Sequence, residues 1–220
     1  MSDLHNRSLA FSLTAELAGS ITATVVVNTG DLCGIGGPLE RFLLSRWLEK
    51  WPAGSILAPG NHDSSSTADA FRKAGGSVLS PEAFIEVQGI RFWGYPDPNR
   101  TKLVIGPRYD ASLCERASEE VQARTSSVPR PFVIAVHNEL MAGKPPAGCP
   151  LVFAGHFHSP RIRRLGPTLY VRAGTTGGRS KRSKAMHFAI VDVAQQTLEP
   201  QAVWLVEIEG SATKVVPAQL

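Results

Sequence analysis

The histidines of this chain lie where their side chains could hold metal ions. Five of the six follow or flank apolar segments in loops, whereas His187 lies within a strand candidate. His156 and His158 are two residues apart, as are Asp3 and His5. In an extended segment this spacing points both side chains of a pair the same way, so each pair can bind one metal ion. The loop histidines are His5, His62, His137, His156 and His158.

Two other polar residues, Asp31 and Asn61, extend this set of candidate ligands. Like His137 and His156, they come directly after apolar strand candidates. Open α/β sheets place their ligands in the loops at the carboxyl ends of their strands, so strands that end at one edge would bring these side chains together. A set of aspartate, asparagine and histidine without a thiolate forms a site of borderline hardness. It suits manganese, iron, zinc or cobalt.

The elements that must position these residues alternate in the first half of the chain. Apolar periodicity predicts helices that begin near Ser8 and Pro38, and a valine-rich strand over residues 23–28. Residues 84–87 and 90–94 are predicted to form a hairpin. The second half consists mostly of strand candidates, including 132–136, 151–154, 168–172, 187–193 and 202–208. This order predicts two sheets packed face to face with helices outside.

The composition indicates one globular domain over residues 1–220. The chain has 43% apolar and 19% charged residues, enough apolar material for a sizeable core. Its net charge of +4 suits a phosphorylated partner but is too small an excess to favour nucleic acid. Three irregularly spaced cysteines indicate neither a disulfide framework nor a cysteine zinc site, so we expect a cytoplasmic protein. No apolar run reaches the roughly 18 residues that span a membrane.

Five segments, in order, resemble the signature of the calcineurin-like metallophosphoesterases. They are Asp3-Leu4-His5, Gly30-Asp31, Gly60-Asn61-His62-Asp63, His137 and Gly155-His156-Phe157-His158. Gly-Asn-His-Asp followed by Gly-His-x-His is the most specific part. The resemblance implies an α/β (α+β) fold, a four-layer αββα sandwich of two packed mixed β-sheets flanked by helices.

The resemblance also assigns roles to these residues. It implies that one divalent metal ion is held by Asp3, His5 and His158, and a second by Asn61, His137 and His156. Asp31 bridges the two ions. His62 faces the substrate and is oriented by Asp63. The implied enzyme is a phosphomonoesterase or phosphodiesterase, in which a metal-activated water attacks a phosphate ester. Our hypothesis for His62 is that it either protonates the leaving alkoxide or stabilises the transition state.

The sequence departs from the family pattern at its beginning. The family has a core strand directly before Asp-x-His, and here only Met1 and Ser2 precede Asp3. We therefore expect a truncated first core strand, with Asp3 and His5 on a frayed terminus that binds its metal weakly. We hypothesise that an N-terminal portion is missing, and a membrane anchor within it would make the protein membrane-associated. An upstream reading frame without strand-like continuation would count against this hypothesis.

Three arginines near strand ends are candidates for substrate binding, because a guanidinium group can bind phosphate through two hydrogen bonds. They are Arg100, Arg172 and Arg179. Two other functions remain open. A non-catalytic metal-binding scaffold of the same fold is disfavoured by the complete ligand set and His62. A nuclease or nucleic-acid-binding protein is disfavoured by the modest charge and by the lack of an aromatic and basic stripe.

Overall fold

The computed structural model describes residues 1–34, 37–100, 109–177 and 184–219. Its helices are α1 (Ser8–Ser20), α2 (Pro38–Trp47), α3 (Ser65–Lys73) and α4 (Ala111–Thr125), with short 3-10 helices at Leu48–Lys50 and Glu139–Ala142. The early strands are β1 (Val27–Asn28), β2 (Ile56–Leu57), β3 (Ser77–Val78), β4 (Ile85–Val87), β5 (Ile90–Tyr95) and β6 (Val133–Val136). The later strands are β7 (Leu151–Ala154), β8 (Arg161–Leu165), β9 (Thr168–Arg172), β10 (Met186–Val193), β11 (Pro200–Glu209) and β12 (Ala212–Pro217).

The strands form one large mixed sheet and two small sheets. The six-stranded sheet has the order β4-β5-β6-β7-β9-β8, with parallel pairing from β5 to β9 and an antiparallel strand at each edge. The small sheets are the parallel β1-β2-β3 and the antiparallel β10-β11-β12.

Apolar clusters between the layers hold them together. The inner one joins β2 to the large sheet through side chains such as Ile56, Phe92 and Val133. Helices α1 to α3 cover the outer face of the β1-β2-β3 sheet around Phe11 and Phe71. Helix α4 covers the large sheet through a cluster that includes Cys114, Val121, Trp93 and Ile134. The result is the predicted order of helix, sheet, sheet and helix.

Several predicted elements are confirmed, and their local causes are visible. The hairpin forms between β4 and β5, with Gln88 at φ 51° and Gly89 at φ 75°, the two positive values that a type I′ turn requires. Asp110 caps α4 by accepting a hydrogen bond from Ser112 N–H at 2.9 Å. None of the helices in the described part of the chain has the length and apolar character needed to cross a membrane.

The first sheet layer differs from the prediction. The strand predicted over residues 23–28 is limited to Val27–Asn28, and the layer is divided into two small sheets. Met1 and Ser2 lie between these sheets at one end only: Thr29 N–H donates to Met1 O (3.0 Å), and Thr176 N–H donates to Ser2 O (2.8 Å). Among the described residues, Met1 is bonded to the side of β1 that faces away from β2, whereas residues 23–26 have no strand partner on that side. Residues 23–26 therefore lack half of the hydrogen bonds that would keep them in a strand.

Candidate metal centre

The seven predicted ligands lie together at the edge where several strands end. Asp31 follows β1, Asn61 follows β2 and His137 follows β6. His156 and His158 follow β7, while residues 3–5 run alongside the Asp31 loop. Their polar atoms form two adjoining groups that share Asp31.

The first group consists of Asp3, His5 and His158. The Nε2 atoms of the two histidines are 3.2 Å apart, and His158 Nε2 is 3.3 Å from Asp3 Oδ1. His5 Nε2 lies 3.9 Å from Asp3 Oδ1 and 3.9 Å from Asp31 Oδ2. Atoms that sit about 2.0–2.1 Å from a tetrahedral cation are roughly 3.3 Å from each other, so this group has the spacing of a metal site.

The second group is centred on His137. Its Nε2 atom lies 3.1 Å from Asn61 Oδ1, 3.4 Å from Asp31 Oδ2 and 3.3 Å from His156 Nδ1. Asp31 Oδ2 therefore approaches a histidine nitrogen of each group. This position between the groups suits a carboxylate that bridges two cations.

Hydrogen bonds and neighbouring charges prepare His137 for metal binding. Its Nδ1–H donates to Thr29 O at 2.6 Å, which directs Nε2 toward Asp31, and a cation that binds Nε2 would replace the proton shared with this carboxylate. Burial would lower the pKa of His137, but the Asp31 carboxylate raises it to about 10. Burial would likewise raise the pKa of Asp31, but His137 and the other nearby histidines hold it well below its usual range.

The carboxylate of Asp3 supplies a test of whether a cation fits. Its side chain is fully buried, and Oδ2 accepts a hydrogen bond from His156 N–H at 3.1 Å. Within the described residues Oδ1 has no hydrogen-bond partner, although it faces His158. A buried carboxylate oxygen without a donor is costly, and a divalent cation would satisfy it. The donor set therefore fits divalent metal ions.

Most of these ligands sit on backbone that side chains rarely adopt. Five non-glycine residues of the centre have φ in the left-handed region: Asp3 (56°), His5 (45°), Asp31 (57°), His156 (70°) and His158 (53°). Such conformations cost of order 1–3 kcal/mol each and cluster at functional sites.

The expectation of a frayed terminus is wrong for this structure. Asp3 N–H donates to Gly30 O (2.9 Å), Leu4 N–H donates to Asp31 O (2.9 Å), and Gly177 N–H donates to Asp3 O (2.9 Å). The segment that carries Asp3 is thus bonded on both sides. Contacts with residues far along the chain hold it, and these contacts are not visible in the local sequence.

Asp63 contacts different partners from those predicted. Its buried carboxylate accepts hydrogen bonds from the backbone N–H groups of Asp31 (2.8 Å), Leu32 (2.9 Å) and Gly60 (2.9 Å). Burial, with a further contribution from Asp31, raises the pKa of Asp63 to about 6. In the described part of the chain, the Nδ1 atom of His62 contacts Gly34 O rather than this carboxylate. Asp63 therefore joins the two ligand loops, and Gly34 orients His62.

His62 lies beside the first group and is half-buried. Its backbone N–H donates to Asp31 Oδ1 at 2.9 Å, and its ring centroid is 5.4 Å from that of His5. The side chain is therefore next to the metal ligands and in contact with solvent.

The three candidate arginines have different positions. Arg172 is largely buried: Nε–H donates to Ser159 O (2.8 Å), and Nη1 lies 3.4 Å from Glu139 Oε1. These contacts favour a role in holding the loop after His158 over substrate binding. Arg100 donates through Nε to Asp63 O at 2.9 Å, which places it beside the loop that carries His62. Arg179 lies outside the described residues.

Two further groups at the site have no signal in the sequence. Tyr109 stacks on His156 with ring centroids 4.3 Å apart, and its hydroxyl accepts a hydrogen bond from the side-chain amide of Asn138. Thr29 acts through its main-chain carbonyl, which every residue type has. Only the folded arrangement identifies them.

The arrangement of layers is also found in solved structures. An archaeal phosphodiesterase matches with a TM-score of 0.52 and 13% identity, over 99% of this chain and 97% of that one. A protein described as a 5'-nucleotidase from Staphylococcus aureus matches with a TM-score of 0.51 and 12% identity. That match covers 99% of this chain but 53% of the other, so this chain spans about half of its length. No family model and no curated protein matches the sequence. The chain has the fold of the calcineurin-like metallophosphoesterases, as the sequence resemblance predicts.

Proposed function

We propose that this protein is a metal-dependent phosphoesterase with two divalent cations in its active site. In this proposal Asp3, His5 and His158 hold one cation, Asn61, His137 and His156 hold the other, and Asp31 contacts both. The observation that carries the proposal is the position of Asp31 Oδ2, 3.9 Å from His5 Nε2 and 3.4 Å from His137 Nε2. Manganese, iron, zinc and cobalt suit this mixture of oxygen and nitrogen donors.

The chain's own groups would prepare the site for a phosphate ester. When bound, two divalent cations supply Lewis-acid chemistry that activates water and neutralises phosphate charge. The Thr29 carbonyl keeps the proton of His137 on Nδ1, so that Nε2 stays available as a ligand. The backbone N–H of His62 holds Asp31 Oδ1 while Oδ2 faces both histidine groups.

His62 is the group best placed to transfer a proton. With Nδ1–H held by Gly34 O, its Nε2 is the ring nitrogen available to a substrate. A charged imidazole there would donate its Nε2 proton to the leaving oxygen, a step that typically contributes 10²–10⁴-fold to a rate. Arg100, next to the same loop, is the described arginine that we propose for contact with the rest of the substrate.

Elemental analysis and a small ester panel test the proposal. Purified protein should contain two divalent ions per chain and should hydrolyse p-nitrophenyl phosphate or bis(p-nitrophenyl) phosphate when manganese is added. The archaeal neighbour is a phosphodiesterase, which is why the panel includes a diester. Protein that binds metal and hydrolyses neither ester with any of the four metals would favour a non-catalytic scaffold.

A single variant separates proton transfer from metal binding. His62→Ala should lower turnover about 100-fold or more, with both cations retained, because His62 is proposed as a general acid and not as a ligand. The exposed Glu119→Ala on α4 serves as a control and should leave turnover and metal content unchanged. Loss of a cation in His62→Ala would show that its assigned role is wrong.

A further inference from the structure

An exposed aromatic side chain lies directly beside the metal centre. Phe157 stands between His156 and His158 in the sequence, and its fractional exposure is 45%. Its ring is nearly perpendicular to that of His156, with the centroids 5.1 Å apart. The guanidinium carbon of Arg172 lies 4.9 Å from the Phe157 ring centroid, so it covers part of the ring. The rest of the ring is open to solvent next to the proposed ligands.

Arg172 holds this ring in place because its own contacts are fixed. Its Nε–H donates to Ser159 O at 2.8 Å, and an Nη2–H donates to Ser159 Oγ at 3.2 Å. Its Nη1 lies 3.4 Å from Glu139 Oε1. A guanidinium group is attracted to the face of an aromatic ring. Arg172 is therefore a positioning residue, and Phe157 presents an apolar surface that needs little ordering before another flat group stacks on it.

Two further arginines lie on the same face of the large sheet, on its edge strand β8. Arg161 is paired with Arg172 and Arg163 with Tyr170, so the alternation of side chains along a strand puts both arginines on the face of Arg172. The guanidinium carbon of Arg163 lies 4.8 Å from the Tyr170 ring centroid. Arg164 comes next in the strand and lies on the opposite face.

The positive charge on this face exceeds the negative charge that contacts it. Burial lowers the pKa of Arg172, Glu139 opposes this change, and repulsion from Arg161 and Arg163 adds to it. In the described ranges, no carboxylate forms an ion pair with either of these two arginines. Like charges directly opposite each other on neighbouring strands are destabilising, so an anion bound between them would stabilise this face.

The order of these groups follows from the direction of β8. The strand begins shortly after His158 and runs antiparallel to β9, whose carboxyl end lies at the ligand edge. Arg161 is therefore the nearer arginine to the metal centre, and Arg163 lies roughly 6.6 Å farther along the strand. This interval is close to the spacing of neighbouring phosphates in an extended nucleotide strand. The metal centre, the aromatic ring and the two cations thus form a row.

We propose that this row binds a single-stranded nucleotide chain, with a base stacked on Phe157 and the next phosphates beside Arg161 and Arg163. The inference rests on the proposed function for one point, that the phosphate to be hydrolysed lies at the metal centre. Aromatic rings that stack on bases and basic side chains that follow the backbone are the two features that single-strand binding uses.

The sequence does not show this surface, because Arg172 joins Phe157 to the two arginines from the neighbouring strand β9. An anionic membrane would also attract Arg161 and Arg163. It would not use the ring, because a ring that is packed against Arg172 and His156 cannot insert among acyl chains. The contacts of Phe157 therefore favour a flat aromatic group over a lipid.

Binding of a hydrolysis-resistant oligonucleotide tests the stacking. Manganese-loaded protein is titrated into fluorescently labelled phosphorothioate hexathymidylate, and the anisotropy gives the Kd. Phe157→Leu keeps an apolar side chain without a flat ring and should weaken binding about fivefold or more. Phe157→Trp should bind at least as tightly as the parent. The manganese content of each variant is measured as well, so that a lost cation is distinguished from lost stacking. Equal Kd values for Phe157→Leu and the parent would overturn the proposal.

Salt dependence tests the two arginines. Each of Arg161→Ala and Arg163→Ala should reduce the slope of the logarithm of the binding constant against the logarithm of salt concentration by about 0.7, because one phosphate contact is lost. Arg164→Ala is the matched control, on the same strand but the opposite face, and should keep the slope and the Kd of the parent. Equal effects of all three substitutions would indicate unspecific attraction and overturn the proposal.

The outcomes separate this inference from the proposed function. Protein that hydrolyses bis(p-nitrophenyl) phosphate but does not bind hexathymidylate would overturn the inference alone. Protein that binds hexathymidylate through Phe157 and Arg161 but hydrolyses neither small ester would support the nucleotide surface and refute the proposed hydrolysis. Binding to phosphatidylglycerol vesicles that depends on Arg161 and Arg163, without binding of hexathymidylate, would assign the surface to a membrane and overturn the inference.

Discussion

Substitution of Gly60 by alanine tests the close approach of the two ligand loops. A Cβ atom at position 60 would lie 2.2 Å from Asp31 Oδ1, 2.6 Å from Asp31 N and 2.9 Å from His137 Nδ1. Ordinary van der Waals contact begins at about 3.4 Å, so one of the loops has to move. Both neighbours are proposed ligands, and one of the three contacts is with backbone, which cannot rotate away.

The cost follows from the contacts that the movement breaks. Overpacking in a well-packed region costs about 1–3 kcal/mol. Moving Gly60 also disrupts the hydrogen bond from its N–H to Asp63 Oδ2, and a bond to a charged group is worth about 1.5–3 kcal/mol. We expect the free energy of unfolding to fall by roughly 3–6 kcal/mol. If about half of this free energy must be supplied when a cation binds, to return Asp31 to its position, metal affinity falls roughly 10- to 150-fold.

Two measurements and one control check these values. Urea unfolding with EDTA gives the stability of the metal-free protein, and calorimetric titration with manganese gives the affinity. Gly19→Ala in α1 is the control, because its Cβ would meet nothing within 4 Å. It should gain up to about 1 kcal/mol of helix stability and keep its affinity. Gly60→Ala with a stability within about 1 kcal/mol of the parent and unchanged manganese affinity would refute the reasoning.

Two further outcomes are expected. The pKa of Asp63 is raised to about 6 in the folded state, so the contribution of Asp63 to stability should fall as pH rises from about 4 to 6, while the lowered pKa of His156 acts in the opposite direction over the same range. The difference in Tm between the parent and Asp63→Asn, measured in EDTA, should therefore change with pH across this range, and a constant difference would contradict the raised pKa. Manganese at about 100 times its Kd should raise Tm by roughly 5–10 °C over protein in EDTA, and no difference would contradict metal binding.

The sequence predicts that the ligands lie together because histidine is rare in this chain and its positions follow a pattern. Five of the six histidines lie in loops beside predicted strands, which placement by chance would rarely give. Parallel strands end at a common edge, so Asp31, Asn61 and His137 meet there although they are far apart in sequence. The layered fold follows from the same alternation of apolar segments, and similar solved structures have it too.

Other features depend on contacts that no local pattern encodes. Residues 23–28 have the composition of a buried strand, but a strand needs neighbours, and β1 has one along most of its length. Asp63 and His62 are adjacent in sequence and were expected to touch. Instead the buried Asp63 carboxylate accepts hydrogen bonds from three backbone N–H groups. Three hydrogen bonds to a charged acceptor stabilise the structure more than a single bond from an imidazole would. Tyr109 reaches His156 through packing alone.

The backbone of the metal centre supports the proposed function independently of the ligand distances. Five residues in the left-handed region cost of order 1–3 kcal/mol each, a substantial sum beside a typical stability of 5–15 kcal/mol. Hydrogen bonds between main-chain groups, such as the one from Gly177 N–H to Asp3 O, help to hold this backbone conformation. Single residues with positive φ also occur at turns such as Gln88, so it is the convergence of five of them on one cluster of polar side chains that points to a function.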